Sequence, residues 1–102
     1  MDQEEAVMLI KSYVDKVRKA GYRIKAAYMF GSTAKGLNGP DSDIDVALII
    51  EDLGNSFDAQ VELMKLRRKV DLRIEPHPFG SMEGDGDSAL LQEVLRTGIK
   101  VA

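Results

Sequence analysis

Two aspartates open a run of alternating apolar residues in "SDIDVALII", residues 42–50. Asp43 and Asp45 are two positions apart. If the segment is a strand, they share a face at roughly 6.6 Å along the backbone, from a rise of about 3.3 Å per residue. Two carboxylates that close repel one another unless a cation lies between them, and a hard divalent ion prefers such oxygen ligands. Taken alone, Asp-x-Asp reads more readily as two solvated residues leading into a strand, so the pair needs company before it means chemistry.

That company stands upstream, with ten residues intervening. An apolar run ends at Phe30, and Gly31-Ser32 follows, with Lys35 one turn further on. A strand that ends in Gly-Ser and opens a helical turn directs free N–H groups, a hydroxyl and a positive dipole end at one point, which suits phosphate oxygens. Lys35 adds a full positive charge. The ten residues between Ser32 and Asp43 are enough for the chain to reverse and bring a phosphate cradle beside the carboxylates. Asp71 is the third acid of interest. In "VDLRIEP", residues 70–76, alternation predicts Val70, Leu72 and Ile74 on one face of a strand and Asp71, Arg73 and Glu75 on the other. An adjacent third strand would present Asp71 to the same cleft, where Arg73 would depress its pKa or pair with Glu75 instead.

The elements that must position these groups can be read from periodicity. Val7, Ile10, Val14 and Val17 predict a helix over 3–19, with Lys and Arg in its last turn and Gly21 ending it. Residues 22–30 read as a strand, and Ser32 caps a short helical turn closed by Gly36. Residues 44–50 read as a second strand. Residues 56–69 read as a helix with Phe57, Val61 and Met64 on its apolar stripe, widened by Leu63, Leu66 and Val70. The third strand is expected to stop at Pro76 and Pro78, with a polar, Gly-rich loop over 77–87, where His77 is a turn residue. Ser88 caps a last helix through Arg96, and "GIKVA" adds a short closing strand. Lys65, Arg67, Arg68 and Lys69 complement a helix C-terminus. The pattern predicts an α/β or α+β layer in which a small sheet is backed by helices.

Length and composition narrow the functions such a site can serve. The chain has 102 residues, which predicts one domain over 1–102 and leaves no room for a second core. A formal charge of −3 disfavours nucleic acid as a partner, because broad backbone binding needs a basic surface. With no cysteine and one histidine, a usual structural zinc centre cannot be built, so any metal should be a hard cation held by oxygens. The acidic start and the absence of a long apolar run lead us to expect a cytoplasmic protein without signal peptide or anchor.

Taken together, "FGSTAKG", "SDIDV" and "VDLRIEP" resemble the nucleotidyltransferase superfamily typified by DNA polymerase beta, in its smallest bacterial form, the minimal nucleotidyltransferases. The motifs cover about residues 24–76, and the order of elements extends the likeness along the chain. The resemblance implies a polymerase-beta-like fold in which Asp43 and Asp45 hold two Mg²⁺ ions and Asp71 ligates the catalytic one. It further implies that Gly31 and Ser32 bind the outer phosphates of a nucleoside triphosphate such as ATP, with Lys35 where relatives carry a basic residue, usually Arg. The implied reaction moves NMP, AMP by expectation, to a hydroxyl and releases pyrophosphate. Similar small members work beside a helical HEPN-type protein, some as antitoxins that transfer AMP to a toxin tyrosine. The alternative is a catalytically silent antitoxin or binding module that acts by occluding a partner. The acceptor, the choice of triphosphate and the oligomeric state, a homo-oligomer included, stay open.

Overall fold

The computed structural model describes residues 2–31, 33, 34, 36, 42–80 and 89–102. Four strands form one mixed sheet in the order β3-β2-β1-β4, with β1 at Arg23–Phe30, β2 at Ile44–Glu51, β3 at Ile74–Gly80 and β4 at Ile99–Lys100. β1 runs antiparallel to both β2 and β4, whereas β2 and β3 are parallel. A parallel neighbour requires a crossover, and helix α2, Ser56–Leu66, supplies it. Helices α1, Gln3–Lys19, and α3, Ala89–Thr97, complete the α+β arrangement expected from the sequence. None of the described helices is long and apolar enough to cross a membrane.

Helix α1 begins where Asp2 accepts a hydrogen bond from the Glu5 N–H at 2.8 Å, and acidic first-turn and basic last-turn residues suit its dipole. Its buried stripe is Ala6, Ile10, Tyr13, Val14 and Val17. Ile44, Val46, Leu48 and Ile50 of β2 meet this stripe in one core with Ala27 and Met29 of β1, as the alternation predicted. Tyr13 was not among the expected core residues. Its phenol is buried, donates to the Leu63 carbonyl at 2.6 Å, and is held above its ordinary pKa by that burial.

Two expectations need correction. The stripe assigned to α2 is rotated: Phe57 and Val61 are exposed, while Ala59 and Leu63 are buried. Asn55 sets the start of the helix by accepting from the N–H groups of Phe57 and Asp58, and the bond from Tyr13 fixes Leu63 toward α1. The helix ends at Leu66, and Arg67–Lys69 form a 3-10 turn.

The larger correction concerns β3. It does not span 70–76 and stop at the prolines; it starts at Ile74 and runs through both of them. β3 is an edge strand, so half of its backbone groups need no ladder partner. The Ile74 and Pro76 carbonyls point off the edge and accept from Arg67 Nη1 and Gln60 Nε2, each at 3.0 Å. Carbonyl and N–H of one strand residue point to the same side, so the missing N–H of Pro76, and of Pro78 two residues on, faces outward and costs the ladder nothing. The Arg73 carbonyl, one position out of phase, accepts from the Ile44 N–H at 2.8 Å and starts the parallel ladder.

Candidate active site

The site begins where β1 ends. Gly31 has a φ of +75°, which carries the chain out of the strand in the left-handed region. A Cβ added there would stand 2.7 Å from Asp45 Oδ2, so the carboxylate would have to move aside. The glycine is therefore favoured twice, once by its dihedral and once by the carboxylate that lies against it in this position. The next turn is tied to two other elements. Thr33, fully buried, donates from Oγ1 to the Asp43 carbonyl at 3.1 Å, and Gln3 Nε2 of α1 donates to the Ala34 carbonyl at 3.0 Å. Ser32 and Lys35, the other expected phosphate ligands, lie outside the described residues.

Asp43 precedes β2 and is exposed, and Asp45 lies within the strand, half-buried. One Asp45 oxygen lies against Gly31, and the other, Oδ1, is 3.2 Å from His77 Nε2. The His77 ring stands edge-on to Phe30, with centroids 5.1 Å apart and planes at 63°. Because Phe30 pairs with Asp45, and Asp45 with Glu75, three strands present these residues abreast on the face opposite α1. His77 is two positions beyond Glu75 on that face. The expectation of a turn at His77 therefore fails. The signal that would have found it is the alternation Glu75, His77, Phe79, visible only once β3 is allowed to pass through the prolines.

Asp71 is placed differently from the expectation of a strand position. It lies in the turn before β3, and its Oδ1 accepts from the Arg73 backbone N–H at 2.8 Å and from Arg73 Nε at 2.9 Å. Oδ2 accepts from Arg73 Nη2 at 2.7 Å. This guanidinium fork holds the carboxyl below the usual carboxylate range. Asp71 and Arg73 border a cavity of about 390 Å³ with Glu5, Met8 and Leu9 of α1, on the side of the sheet away from His77. The structure thus brings Gly31 to Asp45, and directs the Asp71 carboxylate to Arg73.

Among the described residues no three His, Asp or Glu side chains already close around one point that would hold a metal. The donor set nevertheless suits one. Asp43 and Asp45 offer only hard oxygens at alternate positions, and the bare Gly31 leaves room beside the Asp45 carboxylate. These two aspartates are the residues that would hold a divalent cation. A second cavity, about 400 Å³, adjoins the site through His77, between Phe57 and Gln60 of α2, Phe79 of β3 and Leu90 of α3.

This arrangement of a glycine turn, an Asp-x-Asp strand and a parallel third strand has counterparts among known proteins. The family model of the polymerase beta nucleotidyltransferases matches residues 10–102. The crystal structure of a candidate nucleotidyltransferase from Sulfolobus solfataricus superposes with a TM-score of 0.66 over 96% of this chain and 80% of that one, at 23% identity, which supports the shared fold. No curated protein matches the chain. With the family model spanning all but the first turns of α1, the chain belongs to the polymerase beta nucleotidyltransferase family.

Proposed function

We propose that the protein is a Mg²⁺-dependent nucleotidyltransferase that moves a nucleoside monophosphate, AMP from ATP, to a hydroxyl on a partner protein. The observation that carries this reading is the Asp45 carboxylate seated against Gly31, which joins the expected phosphate turn to the expected metal strand in one place. Asp43 and Asp45 would hold the cation, whose chemistry when bound is to neutralise charge on the phosphates and raise the acidity of an oxygen. The chain's own contribution is positional. Gly31 lets the β1 turn approach Asp45, Thr33 ties that turn to the Asp43 backbone, and His77 orients Asp45 from the other side. In the transfer, the acceptor oxygen bonds to the α-phosphorus as the bond to the bridging oxygen breaks, pyrophosphate leaves, and the hydroxyl proton passes to a base.

The acceptor is assigned to a second molecule, a helical partner of the HEPN type with a tyrosine as the receiving hydroxyl. Exposed Phe57 and Leu90 at the cavity beside His77 support a protein surface docking there. The test is incubation of the protein with α-labelled ATP, Mg²⁺ and the proteins that co-purify with it. Label on a partner tyrosine, lost in Asp45→Asn, is the expected outcome. Neutralisation of the partner that survives loss of Asp43 and Asp45, with no label transferred, would replace this reading by simple occlusion.

A further inference from the structure

We infer that Glu75 supplies the third carboxylate of the cation site, in place of Asp71, an assignment that rests on the reading of the site as a nucleotidyltransferase centre. Three observations carry it. The first is register: Asp45 and Glu75 are Cα partners on adjacent parallel strands, so their side chains leave the same face about 4.8 Å apart at the backbone. The hydrogen bond from His77 to Asp45 confirms which face that is, because Glu75 and His77 alternate with the buried Ile74 and Pro76.

The second is availability. Glu75 Oε2 is 3.8 Å from Arg67 Nη1, outside hydrogen-bond range, and that same nitrogen already donates to the Ile74 carbonyl at 3.0 Å. The Glu75 side chain is 38% exposed and can swing toward Asp45 without breaking a short contact. The third is the engagement of Asp71, whose two oxygens accept three hydrogen bonds from Arg73 and which borders α1 across the sheet from His77. Freeing it would break a forked ion pair with three hydrogen bonds, whereas Glu75 gives up only the long 3.8 Å ion pair with Arg67. The extra methylene of Glu compensates for a strand position beside Asp45 rather than directly in line with Asp43.

The experiment measures metal binding directly, by titrating the full chain with Mn²⁺ in the presence of a non-hydrolysable ATP analogue and following free Mn²⁺ by electron paramagnetic resonance. Glu75→Gln is expected to weaken Mn²⁺ binding by at least the order of tenfold, since even outer partners of a metal ligand are worth about that much. Asp45→Asn should do the same. Asp71→Asn should leave Mn²⁺ affinity within about twofold of wild type and lower the melting temperature instead. Glu75→Asp, which keeps the charge and shortens the reach, should bind at an intermediate level and guards against a folding defect in the Gln variant. Mn²⁺ affinity unchanged in Glu75→Gln, or lost in Asp71→Asn with the fold intact, overturns the assignment. A wild-type chain that takes up no Mn²⁺ with the nucleotide overturns this assignment and the proposed function together.

Discussion

Gly31 follows β1 and Asp45 lies in β2, yet a single added carbon on the first would stand 2.7 Å from a carboxylate oxygen of the second. On the proposed function, this contact makes the glycine part of the geometry that positions Asp45 as well as the point where the chain leaves the strand. Gly31→Ala is expected to lose transfer activity by on the order of a hundredfold, because a misplacement of about 1 Å at a positioned group is that costly. The left-handed φ adds about 1–2 kcal/mol of destabilisation. Paired activity and thermal-melt measurements check it; near-wild-type transfer would show that the carboxylate has another place to go.

Asp43→Asn and Asp45→Asn should each abolish measurable transfer, a fall of at least about a hundredfold, since metal charge stabilisation is worth several kcal/mol. Neither side chain belongs to the core, so circular dichroism and melting should change little. A variant that is folded and active would remove that aspartate from the site.

His77 holds Asp45 through one hydrogen bond and leans on Phe30. His77→Phe removes the bond and should lower kcat by about tenfold with little change in KM, the pattern of a lost positioning contact. His77→Asn can still donate and should recover part of that loss. Equal kcat in His77→Phe and wild type would reduce the histidine to packing.

Asp71 makes a stability prediction rather than a catalytic one. Its side chain is only 18% exposed, and Asp71→Asn gives up charge-assisted bonds to Arg73, at a cost of about 1–3 kcal/mol in denaturant unfolding. The folded-state pKa is lowered, so the ionised carboxylate favours the folded chain. That contribution is complete above the unfolded pKa of about 3.9 and is lost as pH falls through the lower folded value. Acid melts of wild type and Asp71→Asn should therefore converge below about pH 4. Curves that stay parallel down to the lowest pH would mean that the carboxyl is not held by Arg73.

Tyr13→Phe removes the phenol's bond to the buried Leu63 carbonyl, which keeps the bond from the Arg67 N–H. An unfolding cost of about 0.5–1.5 kcal/mol is expected, with transfer activity preserved at temperatures where the variant is folded. A silent substitution would mean that the bond from the Arg67 N–H satisfies the carbonyl by itself.

Much of this molecule is written in short-range pattern. The alternation of Ile44, Val46, Leu48 and Ile50 specifies a core face and, by the same two-residue period, sends Asp45 to the other. The periodic apolar residues of α1 were equally local signals, and "FGSTAKG", "SDIDV" and "VDLRIEP" together pointed to the family to which the chain belongs. The α2 stripe was legible only in part: Leu63, Leu66 and Val70 pack on the core as expected, but Phe57 and Val61, as regularly spaced, face solvent, and Ala59 takes the buried place instead.

The residues 71–79 divide most sharply between the two levels. Their composition determined that acids, a histidine and two prolines would follow a helix, and nothing in it says where the strand begins. Only the sheet decided that, by placing the segment at an edge where proline is harmless and by aligning it with β2 so that Glu75 stands beside Asp45. Side-chain period is a property of one strand and travels with the sequence, whereas register is a relation between two strands and exists only once they pair.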